Sequence, residues 1–425
     1  MSLSAIPQRH SRNLGGERKS GSNNWSPKRS MPICSASGKA STSNDLGGRH
    51  HVSPFECDIL RCIARVIQSP GGEPRRWIDA WRRLRGRNVE HAGPERGAWD
   101  GTVTMRVLIT GAGGFVGRHL VTKLQAVLPV GAEIIATGRT EFSIAGPVVV
   151  RQLDITDADA VVAEISQSRP THVVHLAGIA AIPEVGANVL TAWTTHLFGT
   201  LYLARAILKQ APDCLLIFAG SGQVYGDTAK SGLPLDETAL LAPVNEYASS
   251  KAAADLALGA LAKQGLRVVR FRPFNHTGPG QTEDFVVPSF AAQIARIEAG
   301  RHPPVIRVGN LEAQRDFLDV RDVVAAYALA VLKSDIIMPG TILNVASGIP
   351  RRVRDVLGSL LARSSLTINV ELDPDRMRPS DTPRFVGDAT QTRELLAWRP
   401  EWEFDRTLAS VMEYWRGIQG GSVRA

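Results

Sequence analysis

The chain has 425 residues, 44% of them hydrophobic, enough to bury a large core and long enough for two or three domains. Its formal net charge of +8 is unevenly spread: residues 1–104 hold 17 Lys+Arg against 9 Asp+Glu, which leaves 32 of each for 105–425. That balance argues against a nucleic-acid enzyme, and no apolar run of ~20 residues or secretory signal points to a membrane, so a cytoplasmic protein is expected.

The first 104 residues read as an extension. Residues 1–54 are rich in Ser, Gly, Asn and Arg with hardly an acid, a composition of disorder that would also suit an organellar transit peptide. Ile59, Leu60, Ile63, Val66 and Ile67, then Trp77, Ile78, Trp81 and Leu84 among arginines, could form short basic amphipathic helices of the kind that lie on membranes. Met105 opens directly onto an apolar strand, so 1–104 are expected to be disordered or to precede the true translation start. Three of the four cysteines (Cys34, Cys57, Cys62) fall here, and Cys57-x4-Cys62 near His50 and His51 matches no standard zinc spacing. No metal is expected. Cys214, in an apolar run, reads as a buried small hydrophobe.

From Met105 onward apolar strands alternate with amphipathic helices, the pattern of a parallel sheet covered on both faces. The strand Val107–Thr110 runs into Gly111-Ala112-Gly113-Gly114-Phe115-Val116-Gly117, then into a helix with Leu120, Leu124 and Val127 on one face. The spacing is GxxGxxG. Gly111 permits the tight turn, Gly114 lets backbone N–H groups approach a pyrophosphate, and Gly117 lets helix and strand pack closely. The second strand, Glu133–Thr137, ends in Gly138-Arg139-Thr140. An acid there would bond a ribose 2′-hydroxyl; Arg139 suits a 2′-phosphate, so NADP(H) is expected, with NAD(H) as the alternative if Arg139 merely covers the adenine.

Further strands are expected at Val148–Val150 leading to Leu153-Asp154-Ile155, at Thr171–Gly178, at Leu215–Ala219 and at Leu266–Phe271, with helices near 157–168 and through Leu197, Leu201, Ala204 and Leu208. Ser221 follows the apolar run that ends Ala219-Gly220. In Tyr247-Ala248-Ser249-Ser250-Lys251, the Tyr and Lys stand four apart on one helix face. Most such pairs sit on solvated surfaces; the order cradle, strand-end hydroxyl, Tyr and Lys gives this one its weight. A cation beside a phenol favours phenolate, so Lys251 is expected to lower the Tyr247 pKa. Together these groups argue for hydride chemistry at a carbinol or ketone. Beyond Pro273 the texture changes to Asn275-His276-Thr277-Gly278-Pro279-Gly280-Gln281, expected as a binding loop.

With these residues quoted, 105–425 resembles the extended short-chain dehydrogenase/reductase family of nucleotide-sugar enzymes, a member of the NAD-dependent epimerase/dehydratase group. The stretches Arg270–Gln281, Phe285–Pro288, Gly309–Asp316 and Asp373–Asp381 look like those of GDP-4-dehydro-6-deoxy-D-mannose reductases, which form GDP-D-rhamnose. The last two are shared in outline with GDP-mannose 4,6-dehydratases. The resemblance implies a doubly wound parallel Rossmann sheet with a smaller C-terminal α/β substrate-binding lobe. Residues 105–273 would bind NADP(H) and 274–425 mainly the substrate, with about 305–345 returning to the Rossmann domain.

The resemblance implies Ser221, Tyr247 and Lys251 as catalytic residues. Gly111, Gly114, Phe115, Val116, Gly117, Arg139, Asp154, Ile155, Leu176, Ala177 and Gly178 would hold the cofactor together with Tyr247 and Lys251, Asp154 facing the adenine. Ser221, Gln223, Asn275, Val287, Asn310, Arg315, Arg378 and Asp381 would hold a GDP-linked 4-keto-6-deoxyhexose, both arginines on the diphosphate. In the similar dehydratases an acid stands two residues after the catalytic hydroxyl; here it is Gln223, an amide that does not titrate, so ketone reduction is expected unless Glu184 or Glu237 substitutes. His196 replaces the family's relay asparagine three residues before Gly199-Thr200, and a histidine that titrates near neutrality would alter the pH optimum. The alternatives are a C4 epimerase, a 6-deoxytalose-forming reductase, or a nucleotide-sensing protein without turnover. A homodimer through the helices near 190–210 and 245–263 is expected.

Overall fold

The computed structural model describes residues 105–377 and 382–421. The expectations for residues 1–104, and those for Arg378 and Asp381, lie outside the described residues.

The strands are β1 (Arg106–Thr110), β2 (Glu133–Gly138), β3 (Val149–Gln152), β4 (His172–His175), β5 (Leu215–Ala219), β6 (Val268–Pro273), β7 (Asn275–Thr277), β8 (Val305–Val308), β9 (Gln314–Asp319), β10 (Thr341–Val345), β11 (Pro350–Arg352), β12 (Asn369–Leu372) and β13 (Arg384–Phe385). The principal helices are α1 (Phe115–Val127), α2 (Ala158–Ser168), α3 (Thr200–Gln210), α4 (Glu246–Ala262), α5 (Val286–Glu298), α6 (Val320–Leu332), α7 (Val353–Leu361) and α8 (Phe404–Gln419). Seven strands form one parallel sheet in the order β10-β6-β5-β4-β1-β2-β3. The order reverses between β1 and β4, and a doubly wound sheet binds its ligands beyond the strand ends at that crevice.

Both faces of the sheet are covered, so its inner strands β1 and β5 read as continuous apolar runs rather than alternating. Leu120, Leu124, Val323 and Tyr327 of α1 and α6 bury one face, and Ile165, Leu203, Ile207 and Leu258 of α2, α3 and α4 bury the other. A third core, with Phe290, Ile294, Leu357, Val411 and Met412, joins α5, α7 and α8 in the smaller lobe. The parallel sheet covered on both faces is what the alternation of elements predicted, and its doubly wound order beside a smaller lobe is what the resemblance implied.

Three local expectations are corrected. The fourth strand ends at His175, because the chain turns at Leu176–Gly178 to leave the sheet edge open. The binding loop begins as strand: Asn275–Thr277 pairs in parallel with Phe317–Asp319. The return to the main sheet covers 320–345 rather than about 305–345, since β8 pairs with β12 and β9 with β7, β11 and β13. The Asp316 carboxylate stitches the lobe to the sheet, accepting from Ser347 N, Ser347 Oγ, Gly348 N and Gly387 N at 2.8, 2.6, 2.9 and 3.3 Å.

Behind the Tyr247 helix lies a buried charge cluster. Asp255, on the inner face of α4 with no exposure, bonds Arg270 at 2.7 Å and Arg272 at 2.9 Å, both on β6. Arg272 also donates to Tyr225 Oη, which donates to Asn344 on β10. Removing one partner of such a cluster strands the others without water. Asp255→Asn is therefore expected to destabilise the protein by about 3–5 kcal/mol, read from urea denaturation; a loss under 1 kcal/mol would show that the cluster adds little.

Candidate active site

A cavity of about 780 Å³ opens at the C-terminal ends of the sheet strands, between the sheet and the smaller lobe. Its floor is the glycine turn. A side chain at Gly117 would stand 2.5 Å from the Gly111 and Ala112 carbonyl oxygens, and one at Gly111, whose φ is +71°, 2.8 Å from the Ala177 backbone. A side chain at Gly114, the α1 N-cap, would meet only the Gly111 carbonyl, at 3.3 Å, so the space in front of the helix end is open. That is the shape a pyrophosphate needs.

Along the cavity wall the turn Leu176–Gly178 is held by Leu176 N donating to Thr110 O at 3.1 Å and Ala177 N to Thr110 Oγ1 at 3.3 Å. Ser221 follows β5 and caps a 3₁₀ helix, accepting from Gln223 N at 3.1 Å. Tyr247 stands in the first turn of α4, whose Asn245 cap accepts from Ala248 N at 2.9 Å. Ser221, Gln223, Tyr247, Asn275 and Val287 all line the cavity, as do Gly111, Gly114, Phe115, Val116, Gly117, Arg139 and Leu176–Gly178.

Lys251, one turn beyond Tyr247, is 7% exposed and donates to the Ala219 carbonyl at 3.1 Å. A side chain at Gly178 would come within 3.3 Å of its Nζ. Burial lowers its pKa from 10.5 to about 8. The Tyr247 pKa moves the other way. Burial raises it, and the Ser221 side chain, not Lys251, is the group that pulls it back. The expectation of a phenol acidified by Lys251 is thus corrected: helical spacing places the two residues on one face, but burial sets the direction of the phenol's shift. Tyr247 is a neutral phenol carrying a proton to give.

His196 is likewise different from expectation. It lies on a π-helical turn, Thr194–Gly199, with its ring edge-on to Tyr247 at 5.7 Å. Nδ1 is 2.8 Å from Ser250 Oγ, and Nε2 is 3.0 Å from Ile179 N. Ser250 Oγ also donates to the Tyr247 carbonyl, and Nε2 lies 3.1 Å from Ile179 O as well as beside Ile179 N. Burial and the nearby Lys251 charge push its pKa down to about 3. His196 is a neutral strut between the loop after β4 and the Tyr247 helix, and it does not titrate near neutrality.

Several expected residues stand elsewhere. Arg315 Nη1 donates to Gln314 O and Thr382 O, and Asn310 Oδ1 accepts from Glu312 N; neither residue lines the cavity. The register of β9 turns Arg315 along the small sheet. Asp154 accepts from Thr156 N and Oγ1 and lies outside the wall, near enough to Arg139 for its pKa to be lowered by that charge as well as by the Thr156 bonds. Ile155 packs in the core against Gly199. Glu237 accepts from Asn344 N at 2.7 Å, away from the cavity, whereas Glu184 does line it.

The cavity also uses residues that sequence reasoning passed over. Phe142 covers the glycine turn so closely that side chains at Gly113 and Gly138 would stand 2.8 and 2.7 Å from its ring. Phe317 and Phe385 close the lobe side. The unassigned glycines at 113 and 138 were the available sign of a covering ring.

The profile of the "NAD dependent epimerase/dehydratase family" matches residues 107–346, the stretch from β1 to the end of the main sheet. The chain belongs to this family. Among family relatives, the "GDP-6-deoxy-D-mannose reductase" of Pseudomonas aeruginosa is 33% identical over 314 residues, 74% of this chain and 98% of that protein. The "GDP-6-deoxy-D-talose 4-dehydrogenase" of Aggregatibacter actinomycetemcomitans is 28% identical over 69% of this chain and 91% of its own. The solved structure of RMD from Pseudomonas aeruginosa complexed with NADPH superposes with a TM-score of 0.65 at 30% identity, covering 74% of this chain and 99% of that one. The family membership accounts for the parallel seven-stranded sheet with its flanking helices.

The Lys251 shift carries a sign. The unfolded chain keeps that proton up to 10.5, whereas the folded protein releases it near 8, so this residue's contribution to stability rises with pH across that window and is lost as pH falls through 8. Lys251→Met should remove that part of the slope in urea titrations between pH 8 and 10.5, and an unchanged slope would show that Lys251 is not desolvated.

Proposed function

We propose that the chain is a reductase that transfers hydride from NADPH to the C4 ketone of GDP-4-dehydro-6-deoxy-D-mannose, giving GDP-D-rhamnose. The observation that carries the reading is the cavity wall itself. A neutral Tyr247 phenol, the Ser221 hydroxyl and the glycine cradle face one space, with the non-titrating Gln223 where a dehydratase would need an acid. The relatives support the substrate class: a GDP-6-deoxy-D-mannose reductase is 33% identical, and the structural neighbour binds NADPH.

The bare α1 end and Arg139 fit a dinucleotide that bears a 2′-phosphate, so NADPH is preferred and NADH is the alternative. When bound, that cofactor supplies a hydride to the ketone carbon and leaves oxidised. The protein's part is at the oxygen. Ser221 Oγ–H donates to the carbonyl and fixes its direction, and Tyr247 Oη–H transfers its proton as negative charge develops there. The ketone becomes a carbinol, and the phenolate left behind regains a proton from solvent. Lys251, one turn beyond Tyr247 on the same helix, would hold the cofactor. Asn275, Val287 and Gln223 orient the sugar, and residues 105–273 hold the cofactor while the C-terminal lobe holds the sugar nucleotide.

A 6-deoxytalose product would arise from the same residues with the sugar presented on its other face, as the 28% identical talose dehydrogenase illustrates among relatives. The reading also takes the protein to be a cytoplasmic homodimer, with Leu190, Phe198 and Leu256 (83, 47 and 61% exposed) as its contact face. Among the described residues no helix is long and apolar enough to cross a membrane.

The test is NADPH oxidation by the full chain with GDP-4-dehydro-6-deoxy-D-mannose, the product's C4 configuration being read by NMR. Tyr247→Phe should lower turnover on the order of 10²-fold or more while NADPH affinity stays within a few-fold. Oxidation of NADPH with dTDP- or UDP-linked ketosugars only would overturn the GDP assignment.

A further inference from the structure

The gap between the glycine turn and the end of β2 is filled by a side chain of the protein. A Cβ at Gly113 would lie 2.8 Å from Phe142 Cγ, and one at Gly138 would lie 2.7 Å from Phe142 Cε1. Those two carbons stand on different edges of the ring, so its width spans from one glycine to the other. Phe142 is half-buried, lines the cavity with Arg139 and packs at the margin of the core that holds Leu120 and Leu124.

That gap has a defined use in a doubly wound sheet. A dinucleotide lays its pyrophosphate on the glycine turn and reaches the end of the second strand with its adenosine ribose, so the sugar crosses between the two. A phenyl ring gives a ribose hydroxyl no hydrogen bond, and desolvating that hydroxyl against it is costly. With the ring against both glycines, no width is left for a sugar. The pyrophosphate position in front of Gly114 is therefore open while the ribose position is taken.

The connection that carries the ring is lightly tied. It runs from Gly138 to Val149, and Gly146 takes a φ of +92° shortly before β3. Two side chains of α1 pin it: Arg118 Nη1 donates to Ser143 O at 3.0 Å, and Gln125 Nε2 donates to Ala145 O at 2.8 Å. Glu141, Ser143 and Ala145 are exposed, so their backbone groups can exchange such bonds for water at little net cost.

We propose that Phe142 occupies the adenosine-ribose position of the cavity, and that a dinucleotide binds only the molecules in which the ring has swung out. The inference rests on the reading of this cavity as a dinucleotide site, and it adds a residue that sets cofactor affinity by competing for that site. The ring has to leave for either cofactor, so it weakens NADPH and NADH by the same factor and leaves the choice between them to Arg139. A ring that stacked on bound adenine would instead strengthen both.

The test uses the full chain with Phe142→Ala and with Gln125→Met, the second loosening the connection from outside the cavity wall. NADPH, NADH and GDP binding are measured by calorimetry, and the thermal midpoint of each protein is recorded. Phe142→Ala should bind NADPH and NADH each about 3- to 10-fold more tightly, with their ratio and the GDP affinity unchanged, and Gln125→Met should tighten both by about 2-fold. Parental or weaker dinucleotide binding by folded Phe142→Ala would overturn the proposal, weaker binding marking a ring that packs on the cofactor. If the midpoint shows Phe142→Ala to be unfolded, Gln125→Met decides, and parental or weaker binding there overturns the proposal. Equal tightening of GDP would overturn it too, since the effect would not belong to the dinucleotide site. A parent protein that binds neither dinucleotide would overturn the cofactor reading itself, a case the parental titration shows separately.

Discussion

A buried amine governs this site. An ammonium has three donors, and the protein offers Lys251 the Ala219 carbonyl at 3.1 Å as acceptor. Holding it there dictates much of the local sequence. A side chain at residue 178 would press within 3.3 Å of both Lys251 Nζ and His196 Nε2, so both would have to give by a few tenths of an ångström. Strand β5 has to stop at Ala219 so that its last carbonyl faces α4 rather than a neighbouring strand. The desolvated lysine thus sits behind Tyr247, near the crevice where the strand order reverses, which is where a doubly wound sheet places its ligands.

The same burial sets the direction in which the tyrosine is prepared to work. A reductase needs a donor that is protonated at rest and gives up its proton only as charge grows on the substrate oxygen. Tyr247, raised by burial and bonded to Ser221, meets that requirement. His196 keeps the geometry without adding a titration of its own. With its pKa pushed down to about 3, it spans from Ile179 to Ser250 as an uncharged imidazole. The π-helical turn at Thr194–Gly199 shifts the helix phase where this ring must reach inward, and such turns recur at functional sites. A polar line continues behind it: Thr200 Oγ1 bonds the His196 carbonyl and His175 Nε2, and His175 Nδ1 bonds Thr110 Oγ1 at the end of β1. The glycine turn and the Tyr247 helix are thus coupled through the sheet.

What could be read from the chain alone follows a physical divide. The strand, glycine turn and helix at 107–127 depend on neighbours in sequence, as does the placing of Tyr247 over Lys251, and both were legible. Whether two groups on one helix face lie in water or protein is a tertiary fact, so the expected acidification of Tyr247 inverted. Arg315 shows the same limit in a strand, where one residue of register decides between cavity and sheet. Phe142 and Phe385 were invisible because each meets the cavity from a segment with no motif of its own. The trace of Phe142 lay in its partners: Gly113 and Gly138 are glycines whose vacant positions its ring fills.

The lobe makes the remaining argument. Its β9 is held to the main sheet by Asp316, whose carboxylate takes four hydrogen bonds from residues after β10 and before α8. Burial raises the pKa of that carboxyl even though each bond pulls it down. A carboxylate with that many partners ties three chain segments together, β9, the turn after β10 and the residues around Gly387, so the wall that carries Phe317 and Phe385 is set by the same group that joins the lobe to the sheet.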